Sequence, residues 1–153
     1  MFGARFDPKN YKDTPPQWAV YLVKRLATAP CKLYWAHHPK GRGAYGCAYN
    51  GAARVRNGHA MICIHTNTND ADENTLMVLL HEIAHINTPG LRHEKAFWDV
   101  ALGFYKEYGL LQFAAYNEGY ATGRKLAAKA AGISFPKKTR RKRVKLQPLE
   151  MLP

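Results

Sequence analysis

The segment NTNDADENTLMVLLHEIAHINTPG, residues 67–90, contains an apolar run with helix start and stop signals on either side of it. Asp70 and Asp72 are both candidate N-caps, and Asp70 with Glu73 three residues later resembles a capping box. The Pro-Gly pair that closes the segment stops a helix after Asn87. We therefore predict one helix of about four turns here.

His81, Glu82 and His85 form an H-E-x-x-H motif inside this helix. Residues at i and i+4 lie one turn apart on the same helical face, so both imidazoles can bind a single metal ion. Imidazole ligands at a site that keeps a position for water or substrate favour Zn²⁺. Glu82 lies beside this face, where a carboxylate can accept a proton from metal-activated water and pass it to a departing amine. The alternative is a helix whose histidines only cover the core.

A catalytic zinc site of this type needs a third protein ligand. His93 is the leading candidate, because Pro89 and Gly90 can turn the chain and return it within eight residues of His85. Glu118 is the second candidate, because some proteases with this motif take their third ligand from a glutamate on a downstream helix. The remaining candidates are Glu94, His59 and His65.

Strands are expected between an N-terminal helix and the H-E-x-x-H helix. The pairs Asn50-Gly51 and Asn57-Gly58 each supply the positive φ angles of a two-residue hairpin turn. The N-terminal helix is expected over about residues 16–28, an aromatic strand over 32–39, and an antiparallel meander over 44–49, 52–56 and 59–65.

Two helices are predicted after the motif, over about residues 93–108 and 110–131. Beyond them, residues 137–145 have the sequence KKTRRKRVK, which carries +7 of the chain's net charge of +12. Like charges repel and bury little apolar surface, so we predict a disordered arm at 137–153. The fold class expected for residues 1–136 is one α+β domain with a small, mainly antiparallel sheet.

The composition is typical of a globular intracellular protein. A length of 153 residues suffices for one domain, and a hydrophobic content of 46% excludes a wholly disordered chain. The apolar run at residues 76–80 is far below the roughly 18 residues of a membrane span. No apolar leader follows the N-terminus, and Cys31, Cys47 and Cys63 form no C-x-x-C pair. We expect a cytoplasmic or nucleoid-associated protein, nuclear in a eukaryote, that is neither secreted nor membrane-bound.

The stretch LLHEIAHINTPGLRHEKAFW, residues 79–98, resembles the zinc-binding segment of SprT-like metallopeptidases, which include Spartan and the yeast-type DNA–protein crosslink proteases. In those families an H-E-x-x-H helix is followed by a Gly-containing turn, a third His and an aromatic residue four places later. Here these features correspond to His81, Glu82, His85, Gly90, His93 and Phe97. The metzincin pattern does not fit, because Thr88 and Leu91 occupy its Gly and His positions.

The resemblance covers about residues 16–108 and implies a zincin-like fold. It also implies that His81, His85 and His93 bind Zn²⁺ and that Glu82 is the general base. The implied activity is that of a zinc endopeptidase, whose substrates would be proteins or peptides, including proteins associated with DNA.

The basic arm is expected to bind DNA, because each cation that neutralises a phosphate releases counterions and adds sequence-independent affinity. The same residues also fit a nuclear-localisation signal or a solubilising tail. A non-catalytic zinc module that binds nucleic acid, or a peptidase whose arm serves particle assembly, remain alternative functions. The candidate DNA-binding residues are Lys137, Lys138, Arg140, Arg141, Lys142, Arg143 and Lys145.

Two weaker patterns stay open. One of the tyrosines on the last helices could stabilise an oxyanion, although most aromatic residues at helical spacing belong to the core. A second metal site could combine Cys31 and Cys47 with His37 or His38, although thiols on strands usually behave as small hydrophobes. The tyrosines in question are Tyr105, Tyr108, Tyr116 and Tyr120.

Overall fold

The computed structural model describes residues 8–37, 50–56 and 59–137. This part of the chain forms an α+β fold with five α-helices and a three-stranded sheet, preceded by a short 3₁₀-helix at Pro8–Asn10. The elements, in chain order, are α1 (Gln17–Leu26), β1 (Cys31–His37), β2 (Asn50–Arg56), β3 (His59–Thr66), α2 (Glu73–Asn87), α3 (Lys95–Glu107), α4 (Leu111–Asn117) and α5 (Ala121–Ala130). The predicted α+β class and N-terminal helix are confirmed.

The sheet is mixed, with β3 between the other two strands in the order β1-β3-β2. β2 pairs with β3 antiparallel, whereas β1 pairs with β3 parallel. The expectation of a mainly antiparallel sheet is therefore wrong, because β1, predicted as an aromatic strand outside the meander, pairs parallel with β3. Central strand β3 is almost fully buried and needs a partner on each side. A two-residue connection places β2 on one side, which leaves the other side for β1.

The pair Asn50-Gly51 lies within β2, so the hairpin turn predicted there is wrong. Gly51 instead lets α2 approach the strand closely. A Cβ atom at this position would lie 2.7 Å from Val78 Cγ1 and 2.8 Å from Glu82 Cγ. The hairpin of β2 and β3 is confirmed, with Arg56 paired to His59. The strand predicted at 44–49 and the pair Asn57-Gly58 lie outside the described residues.

Helix α2 begins after Asp72, whose carboxylate accepts a hydrogen bond from the Thr75 backbone N–H at 2.8 Å. Asp72 rather than Asp70 is therefore the N-cap. Asp70 belongs to the preceding turn, where its N–H donates to Thr68 Oγ1 at 3.0 Å. The predicted end at Asn87 is confirmed.

Helix α2 is held at both ends and on two faces. Near its start the hydroxyl of Thr75 lies 3.0 Å from that of Thr66 on β3. At its end Asn87 donates to the Leu26 carbonyl and accepts from the Thr28 N–H, both at 2.9 Å. Apolar residues of α2 pack both against the sheet and against α3 to α5. These contacts fix the direction in which the remaining face of the helix points.

Three helices, not the two predicted, follow α2 within the described residues up to 137. The expected helix at 110–131 is interrupted between Asn117 and Ala121. Glu118 leaves the helical conformation with φ −56° and ψ 135°, and its side chain is buried with 4% exposure. The carboxylate accepts a hydrogen bond from the Gly119 N–H at 2.9 Å, which takes the place of a helical bond of that N–H. In the parts of the chain that the structure describes, no helix has the length and apolar character to cross a bilayer.

Candidate metal centre

Three histidine side chains converge beside α2. His81 and His85 project from one face of the helix, one turn apart, as the motif predicts. His93 Nε2 lies 3.1 Å from His81 Nε2 and 3.1 Å from His85 Nε2. One ligand atom from each of the three lies within 4.8 Å of the other two. The structure thus brings together the three residues named as metal ligands.

His93 reaches the group because the chain reverses direction immediately after α2. Gly90 has a positive φ of 77°, and the Leu91 N–H donates to the Thr88 carbonyl at 3.2 Å. The returning residue is then held by α3, since Trp98 Nε1 donates to the His93 carbonyl at 3.0 Å. Phe97 stacks on His85 with ring centroids 4.2 Å apart. The turn and the aromatic pair therefore orient the third imidazole.

This arrangement could hold a metal ion. Two nitrogens bound to a tetrahedral zinc ion at about 2.0–2.1 Å are roughly 3.3 Å apart, close to the separations seen here. Burial, with the neighbouring His81 and His93, lowers the pKa of His85 to about 3. Burial also lowers the pKa of His93. Neutral imidazoles keep the nitrogen lone pairs that metal binding requires.

Glu118, the second candidate for third ligand, lies on the other side of His81. Its carboxylate is 3.3 Å from His81 Nδ1, whereas His81 Nε2 faces His93. Burial would lower the pKa of His81, but the hydrogen bond to Glu118 and the nearby Glu82 charge raise it. Burial would likewise raise the pKa of Glu118, but the contact with His81 lowers it. The two groups thus favour each other's charged form.

Glu82 is buried with 7% exposure and lies beside the histidines. Burial raises its pKa to about 7, with the Glu118 charge raising it and the His81 charge opposing the shift. A carboxyl group that titrates near neutrality can both accept and release a proton during a reaction. Contact with Gly51 places the backbone of β2 directly against this side chain.

The histidines and Glu82 line a cleft of about 950 Å³. Five consecutive residues of β2, 51–55, form one side of it. The loop that carries His93 and the break between α4 and α5 form other parts. Tyr120 lies in this break, is 48% exposed, and packs on His93 with ring centroids 3.7 Å apart. The site is thus open to a solvent-borne ligand.

Among the other three tyrosines, Tyr105 has its hydroxyl 3.5 Å from His81 Nδ1, whereas Tyr108 and Tyr116 contact residues outside the histidine group. Tyr105 is fully buried and donates a hydrogen bond to Glu118. The Tyr108 hydroxyl accepts from Arg25 at 3.4 Å, and Tyr116 is exposed and packs against Phe135 with centroids 5.4 Å apart. Of the four tyrosines, Tyr120 is the one whose ring packs against His93 in the described part of the chain.

The remaining candidate ligands do not join the three histidines. Glu94 is exposed at the N-cap of α3, His59 is exposed at the start of β3, and His65 is buried within β3.

The hypothesis of a second metal site is wrong for Cys31 and His37, the two of its four candidate residues that the structure describes. Cys31 and His37 are the first and last residues of β1, about 20 Å apart along a strand. The His37 Nε2 atom instead lies 3.2 Å from the Asn67 carbonyl. Cys47 and His38 lie outside the described residues.

Of the arm, the structure describes only Lys137, which is exposed. The other candidate DNA-binding residues lie outside the described part: Lys138, Arg140, Arg141, Lys142, Arg143 and Lys145.

Comparison of the chain with protein-family models, with curated proteins and with solved structures found no match. The functional interpretation therefore depends on the residues of the site and on their geometry.

Proposed function

We propose that this protein is a zinc-dependent endopeptidase with a zincin-like, SprT-like catalytic domain. The observation that carries the proposal is the convergence of His81, His85 and His93 Nε2 atoms beside Glu82, in a cleft open to solvent. A site that only stabilises the fold would need a fourth protein ligand and no adjacent carboxylate. Three imidazoles with a carboxylate beside them suit zinc-dependent hydrolysis.

Zinc at this site would polarise the scissile carbonyl and lower the pKa of water. The protein's own part begins with Glu82, whose carboxylate accepts the proton of the attacking water. The same carboxyl group then donates this proton to the amine nitrogen of the broken peptide bond. Gly51 contributes by keeping the wall of β2 in contact with Glu82.

The position of β2 supports an extended polypeptide as substrate. Among the described strands, β2 lies at an edge of the sheet, and its residues 51–55 line the cleft. An extended peptide can lie along a strand that lines a cleft and pair with its backbone. Such pairing recognises the backbone of the substrate and would place one of its peptide bonds beside Glu82.

Removal of the metal tests the proposal. A zinc chelator is expected to abolish cleavage of an unfolded protein such as casein, because the three histidines alone cannot activate water at neutral pH. One equivalent of Zn²⁺ per chain should restore cleavage after the chelator has been removed. The measurements are the rate of peptide release and the bound zinc by elemental analysis. Cleavage that survives complete metal removal would refute the assignment.

We further propose that the basic arm holds the enzyme on DNA, close to DNA-bound protein substrates. Seven cations within residues 137–145 support this, since each phosphate contact releases counterions. Local concentration of substrate then increases the cleavage rate without a new contact at the active site.

Truncation after Pro136 is expected to weaken DNA binding and to reduce its salt dependence. Loss of up to seven phosphate contacts would reduce the steepness of log K against log salt by up to about 6 on duplex DNA. Fluorescence anisotropy with a labelled duplex at several salt concentrations measures this slope. A full-length variant with Gln at all seven basic positions of the arm is the matched control and should behave like the truncated protein. An unchanged slope in both would show that DNA does not bind through the arm.

A further inference from the structure

Glu118 occupies a buried position that several groups of the protein hold in place. Its carboxylate accepts hydrogen bonds from the Tyr105 hydroxyl and, at 2.9 Å, from the Gly119 N–H. The same carboxylate lies 3.3 Å from His81 Nδ1. Its side chain is 4% exposed. A buried carboxylate with three partners is held in a defined orientation.

The backbone around Glu118 also helps to hold the side chain in this orientation. The chain leaves α4 at this residue, and Arg124 Nη1 donates to the Glu118 carbonyl at 2.6 Å, which secures the break. Gly123 on α5 leaves the space that the side chain needs. A Cβ at Gly123 would lie 2.6 Å from Glu118 Cγ and would also clash with the Trp98 ring. The interruption of the helix thus directs one carboxylate inward.

The contact with Glu118 determines which nitrogen of His81 is free to bind metal. When Nδ1–H donates to the carboxylate, Nε2 keeps its lone pair and faces His93 Nε2 at 3.1 Å. A carboxylate on the distal nitrogen also makes an imidazole a stronger donor to a metal. Among the described residues, His81 is the member of the histidine group whose ring contacts a carboxylate.

We infer that Glu118, held by Tyr105 and the α4–α5 break, is a positioning residue that orients His81 and increases the affinity of the centre for zinc. The inference rests on the proposed zinc function, but it concerns metal binding and not hydrolysis. This role accounts for the position of Glu118 beside the metal centre, although Glu118 is not itself a ligand.

The test compares Glu118→Gln with the wild type. Glutamine keeps the shape and an acceptor oxygen but removes the charge, so zinc affinity should fall by about 10- to 100-fold while one zinc still binds per chain. Competition with a chromophoric chelator measures the affinity, and the visible absorption of the Co²⁺-substituted protein should change. Glu107→Gln is the matched control, because Glu107 lies on the surface of α3 and pairs with Arg25 at 3.1 Å. It should keep both the affinity and the spectrum.

Tyr105→Phe provides a second variant in case Glu118→Gln does not fold. It keeps the buried ring but removes the hydroxyl that holds Glu118, so zinc affinity should fall in the same direction. Wild-type zinc affinity and an unchanged Co²⁺ spectrum in the folded variants would overturn the inference. That result would leave the peptidase proposal intact if the wild type cleaves protein with zinc. Conversely, weakened zinc binding in Glu118→Gln together with an inactive, zinc-loaded wild type would refute only the peptidase proposal.

Discussion

Glu82→Gln is expected to retain zinc and to lose cleavage by about 10²- to 10⁴-fold, the usual contribution of a general acid–base group. Glutamine preserves the size of the side chain and its contact with Gly51, so the fold and the three histidines should be undisturbed. It cannot accept a proton from water at neutral pH, and it therefore removes the proton transfer alone. Initial rates of protein cleavage at saturating zinc, with zinc stoichiometry determined on the same samples, measure the effect.

The outcome separates an enzyme from a binding module. Glu107→Gln makes the same chemical change on the exposed face of α3 and should cleave at the wild-type rate. If Glu82→Gln also cleaves at that rate, Glu82 is not the base and the proposed mechanism fails. If neither the wild type nor the variant cleaves while both bind zinc and DNA, the alternative of a non-catalytic zinc module gains direct support.

His93→Ala is expected to reduce zinc affinity by more than about 100-fold and to abolish cleavage. Loss of a supporting group outside the ligand set already costs about 10- to 100-fold, and loss of one of three ligands should cost more. Only His81 and His85 would remain, and two imidazoles leave the ion too weakly bound to persist through purification. Elemental analysis and chelator competition measure the loss, and circular dichroism establishes that the variant is folded.

Two comparisons make this result decisive. His59→Ala removes an exposed histidine at the start of β3 and should leave zinc affinity unchanged. Glu118→Ala should weaken zinc binding but keep a stoichiometry of one. Loss of zinc in Glu118→Ala with full retention in His93→Ala would reverse the assignment of the third ligand.

The part of the site that could be predicted from the sequence is the part that depends on short chain distances. His81 and His85 share a face because any α-helix places i and i+4 together. His93 follows His85 by only eight residues, and the Pro-Gly turn between them limits how far His93 can lie from His85. For the same reason the predicted ends of α1, α2 and α3 lie close to the observed ends, because caps and helix breakers act within one turn.

The errors arose where a local signal competes with packing. Asn50-Gly51 has the composition of a tight turn, yet its glycine serves the close approach of α2 to β2. The residues around Glu118 have helical composition, yet the buried bonds of one carboxylate to His81 and Tyr105 interrupt the helix. In both cases the partners lie 13 to 37 residues away, and no periodic pattern in the chain predicts the contact.

Sequence patterns alone therefore predict the α+β class, the H-E-x-x-H helix and three histidines that could hold a metal ion. Helical periodicity and short loops suffice for these features, because both act between neighbours in the chain. Three features become visible only in the folded chain: the parallel pairing of β1, the role of Gly51 beside Glu82, and the position of Glu118 behind His81. These features depend on how separate elements pack, and packing is settled by the shape and hydrogen bonding of residues that are distant in sequence.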